Sequence, residues 1–182
     1  IVGGTNPLNT LEVLGNNPIT LNYNVSTNNT QNYTGPVTIG ADLTLTGTTM
    51  RFEDTLNGAN NLTVSVNGEF IGEVGNGTPL ENLTVTESSN ITGNITTNGT
   101  QTYSGAVSLN GSGSAKFLSN NGSNISFNST LDGGKAVVVE TNGTTLFGGA
   151  VGGSVQLTSL NVSNGSTTLN ASTVNTSGFQ NY

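Results

Sequence analysis

The chain has 182 residues, of which 32% are hydrophobic, 5% aromatic and 7% charged, with no Cys, Trp or His. So few apolar side chains exclude a wide globular core. Low charge with frequent Thr, Val and Ile nevertheless departs from a disordered composition and suits pleated, half-buried strands. A net charge of −7, with the three basic residues Arg51, Lys116 and Lys135 scattered, lacks the footprint that nucleic acid or an anionic membrane needs.

Period-two alternation predicts short strands at 37–39, 43–45, 62–66, 83–85, 107–109 and 160–162, each burying one face. Between such strands fall eight Asn-Gly pairs, at Asn57, Asn67, Asn76, Asn98, Asn110, Asn121, Asn142 and Asn164. In isolation Asn-Gly marks antiparallel hairpins. Here equivalent turns and apolar positions recur together, so parallel strands with Asn-Gly at the corners are expected. No window holds the 3.6-residue period over three turns, and no stretch approaches the roughly 18 apolar residues of a membrane span. Helix content near zero and no membrane insertion are therefore expected.

The recurrence is carried by an aromatic phrase. Tyr33-Thr34-Gly35-Pro36-Val37 returns as Phe52-Glu53-Asp54-Thr55-Leu56, Phe70-Ile71-Gly72-Glu73-Val74, Tyr103-Ser104-Gly105-Ala106-Val107, Phe127-Asn128-Ser129-Thr130-Leu131 and Phe147-Gly148-Gly149-Ala150-Val151. From Tyr33 to Tyr182 the aromatics step by 19, 18, 33, 24, 20 and 35 residues. A step near 20 reads as one coil, and the two long steps read as two short coils each. Above this period, Gln31-Asn32-Tyr33, Gln101-Thr102-Tyr103 and Gln180-Asn181-Tyr182 mark units of 70 and 79 residues, the self-similarity of a stacked array. Residues 1–33 also align without a gap onto 150–182. The expected organisation is a single solenoid segment of a longer array: the end of one unit at 1–33, a second at 34–103 and a third at 104–182. Roughly nine coils are expected, with Tyr33, Phe52, Phe70, Tyr103, Phe127 and Phe147 in one structural column.

The phrases 100–109, 144–153 and 40–47 (Gly40-Ala41-Asp42-Leu43-Thr44-Leu45-Thr46-Gly47) resemble the repeats of large bacterial surface proteins of the filamentous haemagglutinin type. The resemblance covers essentially the whole chain. It implies an all-β, right-handed parallel β-helix, export to the bacterial cell surface, and a role in adhesion or in building a filament. The partners it suggests are further repeats of the same protein or identical subunits stacked end to end, together with host or surface glycans. It carries over no catalytic residues and no cofactor.

Candidate sites were weighed on the residues themselves. Eighteen Asn-X-Ser/Thr triplets, well above chance for 29 Asn and 48 Ser plus Thr, are explained either by turn chemistry or by N-glycosylation; Asn28, Asn61, Asn82, Asn94, Asn124, Asn142, Asn161 and Asn175 are the candidates. Arg51, Glu53 and Asp54 form the densest charged cluster, and with Phe52 inward a solvated Arg51–Glu53 pair on the outer face is the expected reading. Leu131-Asp132-Gly133-Gly134 is a lone partial match to a calcium-binding repeat, so no metal site is expected. Parallel β-helices also serve as glycan-binding or glycan-cleaving proteins, which need carboxylates converging in a groove with exposed aromatics. A structural role without catalysis is the leading expectation and such a glycan protein the alternative.

Overall fold

The computed structural model describes residues 2–182 and contains no helix among them. Every strand pairing is parallel. The chain winds as a three-faced β-solenoid, visiting the faces in fixed order. The first face carries Leu11–Val13, Gln31–Tyr33, Thr49–Phe52, Asn67–Phe70, Ser89–Ile91, Val107–Leu109 and Leu131–Asp132. The second carries Ile19–Leu21, Val37–Ile39, Leu56–Asn57, Ile95–Thr97, Ser114–Ser119, Ala136–Glu140, Ser159–Ser163 and Gln180–Asn181. The third carries Val25–Ser26, Leu43–Thr46, Leu62–Val64, Leu83–Val85, Gln101–Tyr103, Ile125–Phe127, Thr144–Phe147 and Ser166–Leu169. With the single-bridge residues Val2, Val74, Val151 and Val174 filling the remaining places, the faces stand nine levels deep. At about 4.8 Å per level the rod is about 40 Å long.

Each strand buries alternate residues and wets the rest, because successive side chains point to opposite sides of the pleat. Val37 and Ile39 are buried while Thr38 between them is exposed; Leu83 and Val85 flank an outward Thr84 in the same way. The core is consequently a narrow file along the axis, running from Val25 to Val162. Asn67-Gly68 departs from the expected corner and opens a strand instead. Gly68 points inward there, and a Cβ on it would lie 2.7 Å from the Phe70 ring, so the glycine makes room for the aromatic.

The six phrase aromatics are all buried, but they form two ladders on two faces and not one column. Tyr33, Phe52 and Phe70 stack on the first face, with ring centroids 5.4 and 5.6 Å apart and both pairs inclined by 11°. Tyr103, Phe127 and Phe147 stack on the third, 5.3 and 5.5 Å apart at 9° and 6°. The break has a simple cause. The 33 residues from Phe70 to Tyr103 form five strand positions, or one and two-thirds coils, so the phrase lands one face away. Phe70 pairs with Ile91, and Val85 lies under Tyr103.

The same count governs the long repeat. From Gln31–Tyr33 to Gln101–Tyr103, and again to Gln180–Asn181, the chain passes eleven strand positions each time. Eleven positions on three faces are three and two-thirds coils. Successive repeats are therefore turned by one face as they advance about 18 Å, which places Tyr33 on the first face, Tyr103 on the third and the Gln180 strand on the second.

Candidate functional site

The feature that recurs in each repeat is a polar corner spanning nine residues, buried in the first two copies and exposed at Gln180 and Tyr182 in the third. In the first copy Val25, Thr27, Gln31 and Tyr33 supply it; in the second Ile95, Thr97, Gln101 and Tyr103; in the third Val174, Thr176, Gln180 and Tyr182. Gln31 points into the core. Its Nε2 donates to Val25 O at 3.1 Å and to Thr46 O, one coil on, at 2.9 Å, while Tyr33 OH donates to Gln31 Oε1 at 2.8 Å. Thr27 Oγ1 completes the turn by donating to Asn29 O at 2.7 Å.

The second copy reproduces this bond for bond. Gln101 Nε2 donates to Ile95 O at 3.4 Å, Thr97 Oγ1 at 3.2 Å and Leu118 O at 2.8 Å, and Tyr103 OH donates to Gln101 Oε1 at 3.1 Å. In the third, Gln180 Nε2 donates to Val174 O and Thr176 Oγ1, both at 3.2 Å, and Tyr182 OH to Gln180 Oε1 at 2.9 Å. Burial raises the Tyr33 and Tyr103 hydroxyls above the ordinary tyrosine value, since an ionised phenolate there would lose its hydration. The carboxamide spends its donors and its oxygen on fixed partners. Such a network locks register between coils and leaves no group poised for proton transfer.

A glycine shapes the loop that precedes each corner. Gly3, Gly75 and Gly152 share positive φ values of 71°, 72° and 64°, and a Cβ on any of them would come within 2.1 Å of a carbonyl oxygen in the next coil. The backbone of the loop thus lies directly against its neighbour.

Of the charged residues, Arg51 lies on the outer side of the first face, its Nε 3.0 Å from Glu53 and its Nη1 2.6 Å from Glu69. Lys116 pairs with Glu140 at 2.7 Å. Lys135 is 1% exposed and donates from Nζ to Thr92 O at 2.6 Å and Asn110 O at 3.0 Å, bridging the corner carbonyls of two lower coils. Burial lowers its pKa, partly offset by the charge of Glu73. A shallow cleft of about 250 Å³ opens beside it, between Ser108–Asn110, Asp132–Gly134 and Val155. Its one carboxylate, Asp132, already accepts from the Ser154 and Val155 N–H groups at 2.8 and 3.2 Å. Among the described residues no group of three His, Cys, Asp or Glu is placed to hold a metal ion.

The eight glycosylation candidates divide by what their carboxamides do. Asn61 and Asn82 belong to a ladder at the corner before the third face: Asn61 Nδ2 donates to Asp42 Oδ2 at 2.9 Å, and Asn82 Nδ2 to Asn61 Oδ1 at 2.6 Å. The Asn61 backbone N–H and then its side chain hold the Asp42 carboxyl below the usual range. Asn94 Nδ2 likewise donates to Glu73 at 3.2 Å. A glycan on these three would break an existing bond. Asn28 and Asn142 are exposed, as are Asn124 and Asn175, whose oxygens accept from Thr144 N and Gln156 Nε2. Asn161 is half-buried and accepts from Asn181 Nδ2 at 2.8 Å.

Two further buried residues complete the picture. Phe117 stands on the second face and meets Tyr103 and Phe127 edge-on, at 5.7 and 4.9 Å. Val155 and Leu169, apolar as they are, stand 53% and 44% exposed. No family model, curated protein or solved structure matches this chain.

Proposed function

We propose that the chain is a rod segment of an extracellular adhesin or surface filament of the filamentous haemagglutinin kind, giving reach and surface attachment without catalysis. The observation that supports this most is the eleven-strand unit that repeats its hydrogen-bonded Gln–Tyr corner on successive faces. A unit that turns by one face at each recurrence extends a rod while spreading equivalent loops around its axis. Continuous parallel ladders and a file of packed side chains resist bending, and outward Thr, Ser and Asn keep the surface wet with little charge. On this reading glycans, where present, sit on Asn28, Asn124, Asn142 and Asn175, whose amide nitrogens are not spent on the ladder. The resemblance of the aromatic phrases to that class of repeat supports the bacterial cell surface as the location, with further repeats or like subunits as axial neighbours.

The reading is tested by labelling intact cells of the source organism with an antibody against this chain. Label along fibres outside the envelope is expected, together with adhesion of beads coated with the purified chain. Label confined to permeabilised cells would overturn it.

A further inference from the structure

The eight Asn-Gly pairs are alike in sequence and unlike in structure. Asn-Gly is the most labile context for an asparagine, because glycine offers no side chain to hinder its amide nitrogen from attacking the carboxamide carbon. The attack needs that nitrogen free, so a hydrogen bond from the glycine N–H slows it until the bond opens. Six of the eight nitrogens are held: Gly58 by Thr78 O at 3.0 Å, Gly68 by Ser88 O at 2.9 Å, Gly77 by Asn57 Oδ1 at 2.9 Å, Gly99 by Glu81 O at 2.6 Å, Gly122 by Ser119 O at 3.3 Å and Gly143 by Thr141 Oγ1 at 3.0 Å.

Gly111 and Gly165 have no such acceptor among the described residues. Of these two, Gly165 is confined: Asn164 and Gly165 form a turn with φ of 64° and 61°, and a Cβ on Gly165 would lie 2.0 Å from Gly143 O. Gly111 also has a positive φ, 77°, but a Cβ on it would meet only the Thr92 methyl, at 3.1 Å, and no backbone; Asn110 opens a run, 110–114, exposed throughout. Water reaches it from the adjoining cleft, of which Asn110 forms one wall.

We propose that Asn110 is a site of spontaneous deamidation, converting ahead of every other Asn-Gly in the folded chain. The Gly111 nitrogen, giving up its proton to solvent base, bonds to Asn110 Cγ; the Cγ–Nδ2 bond breaks and ammonia leaves. Water then opens the resulting succinimide at either carbonyl, giving aspartate or isoaspartate. No oxidant, metal or enzyme is required. The product changes this corner in particular, since Asn110 O holds Lys135 Nζ at 3.0 Å. A new carboxylate arrives in the corner where that ammonium has only carbonyl partners, and the isoaspartate form lengthens the main chain there by one carbon.

The test is incubation of the folded chain at mildly alkaline pH, followed by peptide mapping for the amide-to-acid mass gain and for isoaspartate. The peptide spanning Asn110 should convert about tenfold faster than those of the six held pairs, with Asn164 between. In denaturant, where every glycine N–H is released, the eight should converge, and Asn110→Gln should remove the leading signal alone. Conversion led by any held pair, equal rates across the folded chain, or no conversion at Asn110 would overturn the proposal.

Discussion

Tyr33 and Tyr103 occupy the same place in the sequence repeat, make the same hydrogen bond to the glutamine two residues before them, and stand on different faces of the solenoid. Each heads a three-ring ladder. The repeat is conserved in its contacts and rotated in its placement.

The corner network makes a coupled pair of predictions. Replacing Gln101 by Leu removes its bonds to the Leu118 and Ile95 carbonyls and leaves the Tyr103 hydroxyl without its acceptor, and should cost about 2 to 4 kcal/mol in denaturant unfolding. Adding Tyr103→Phe removes one stranded group, so the double variant should be more stable than the sum of the singles by about 1 kcal/mol. Strict additivity would show that the two side chains do not act together.

Within the ladders, Phe127 is the most constrained ring, stacked between Tyr103 and Phe147 and met edge-on by Phe117. Phe127→Ala should cost about 3 to 5 kcal/mol. A loss below about 1 kcal/mol would contradict its place in the core.

Thr145 offers a stabilising change. Its side chain is wholly buried, beside Ile125 in register, and its hydroxyl has no partner. Thr145→Val keeps the shape and removes an unsatisfied polar group, so stability should rise by about 1 kcal/mol. A decrease would mean that the hydroxyl is satisfied in solution.

Alkaline pH should unfold the chain through its buried tyrosines. In the unfolded chain a tyrosine ionises near about pH 10, whereas burial raises Tyr33 and Tyr103 in the fold. Below that pH both states keep the protons and the contribution is complete. Above it the unfolded state releases protons that the fold retains, and stability should fall by up to about 1.4 kcal/mol per pH unit for each tyrosine. Lys135, lowered by burial, acts in the opposite sense up to its unfolded value. The tyrosine part is isolated by Tyr33→Phe/Tyr103→Phe, which should flatten the decline; an unchanged slope would assign alkaline unfolding elsewhere.

The parallel solenoid was legible because aromatics and turns recur together, and because alternation in stretches such as Val37-Thr38-Ile39 names the inward residues directly. The rotation between repeats was not, since a residue count does not reveal that 33 residues hold five strand positions. Gln31 and Gln101 read as surface residues by type; the signal was present in the nine-residue spacing shared by Val25, Thr27, Gln31 and Tyr33 with their two later copies. Lys135 gave no such sign. Its burial depends on carbonyls 25 and 43 residues away, which only the stacking of coils brings under its side chain. Asn61 shows the reverse case: its outward carboxamide is tied into a ladder by Asp42 and Asn82 on the coils to either side, partners that no local pattern names.

The rotation of the repeat is tested most directly with paired cysteines, for which the chain, having no Cys of its own, provides a clean background. Strands in register bring Cα atoms to about 4.8 Å, within the range a disulfide accepts. Glu69→Cys with Asn90→Cys, and Thr84→Cys with Thr102→Cys, should each oxidise to a disulfide in the folded chain, because these residues are register partners on the first and third faces. Glu69→Cys with Thr102→Cys should remain reduced. Ready formation of that last bond would place Tyr103 above Phe70 in a single column and contradict the account.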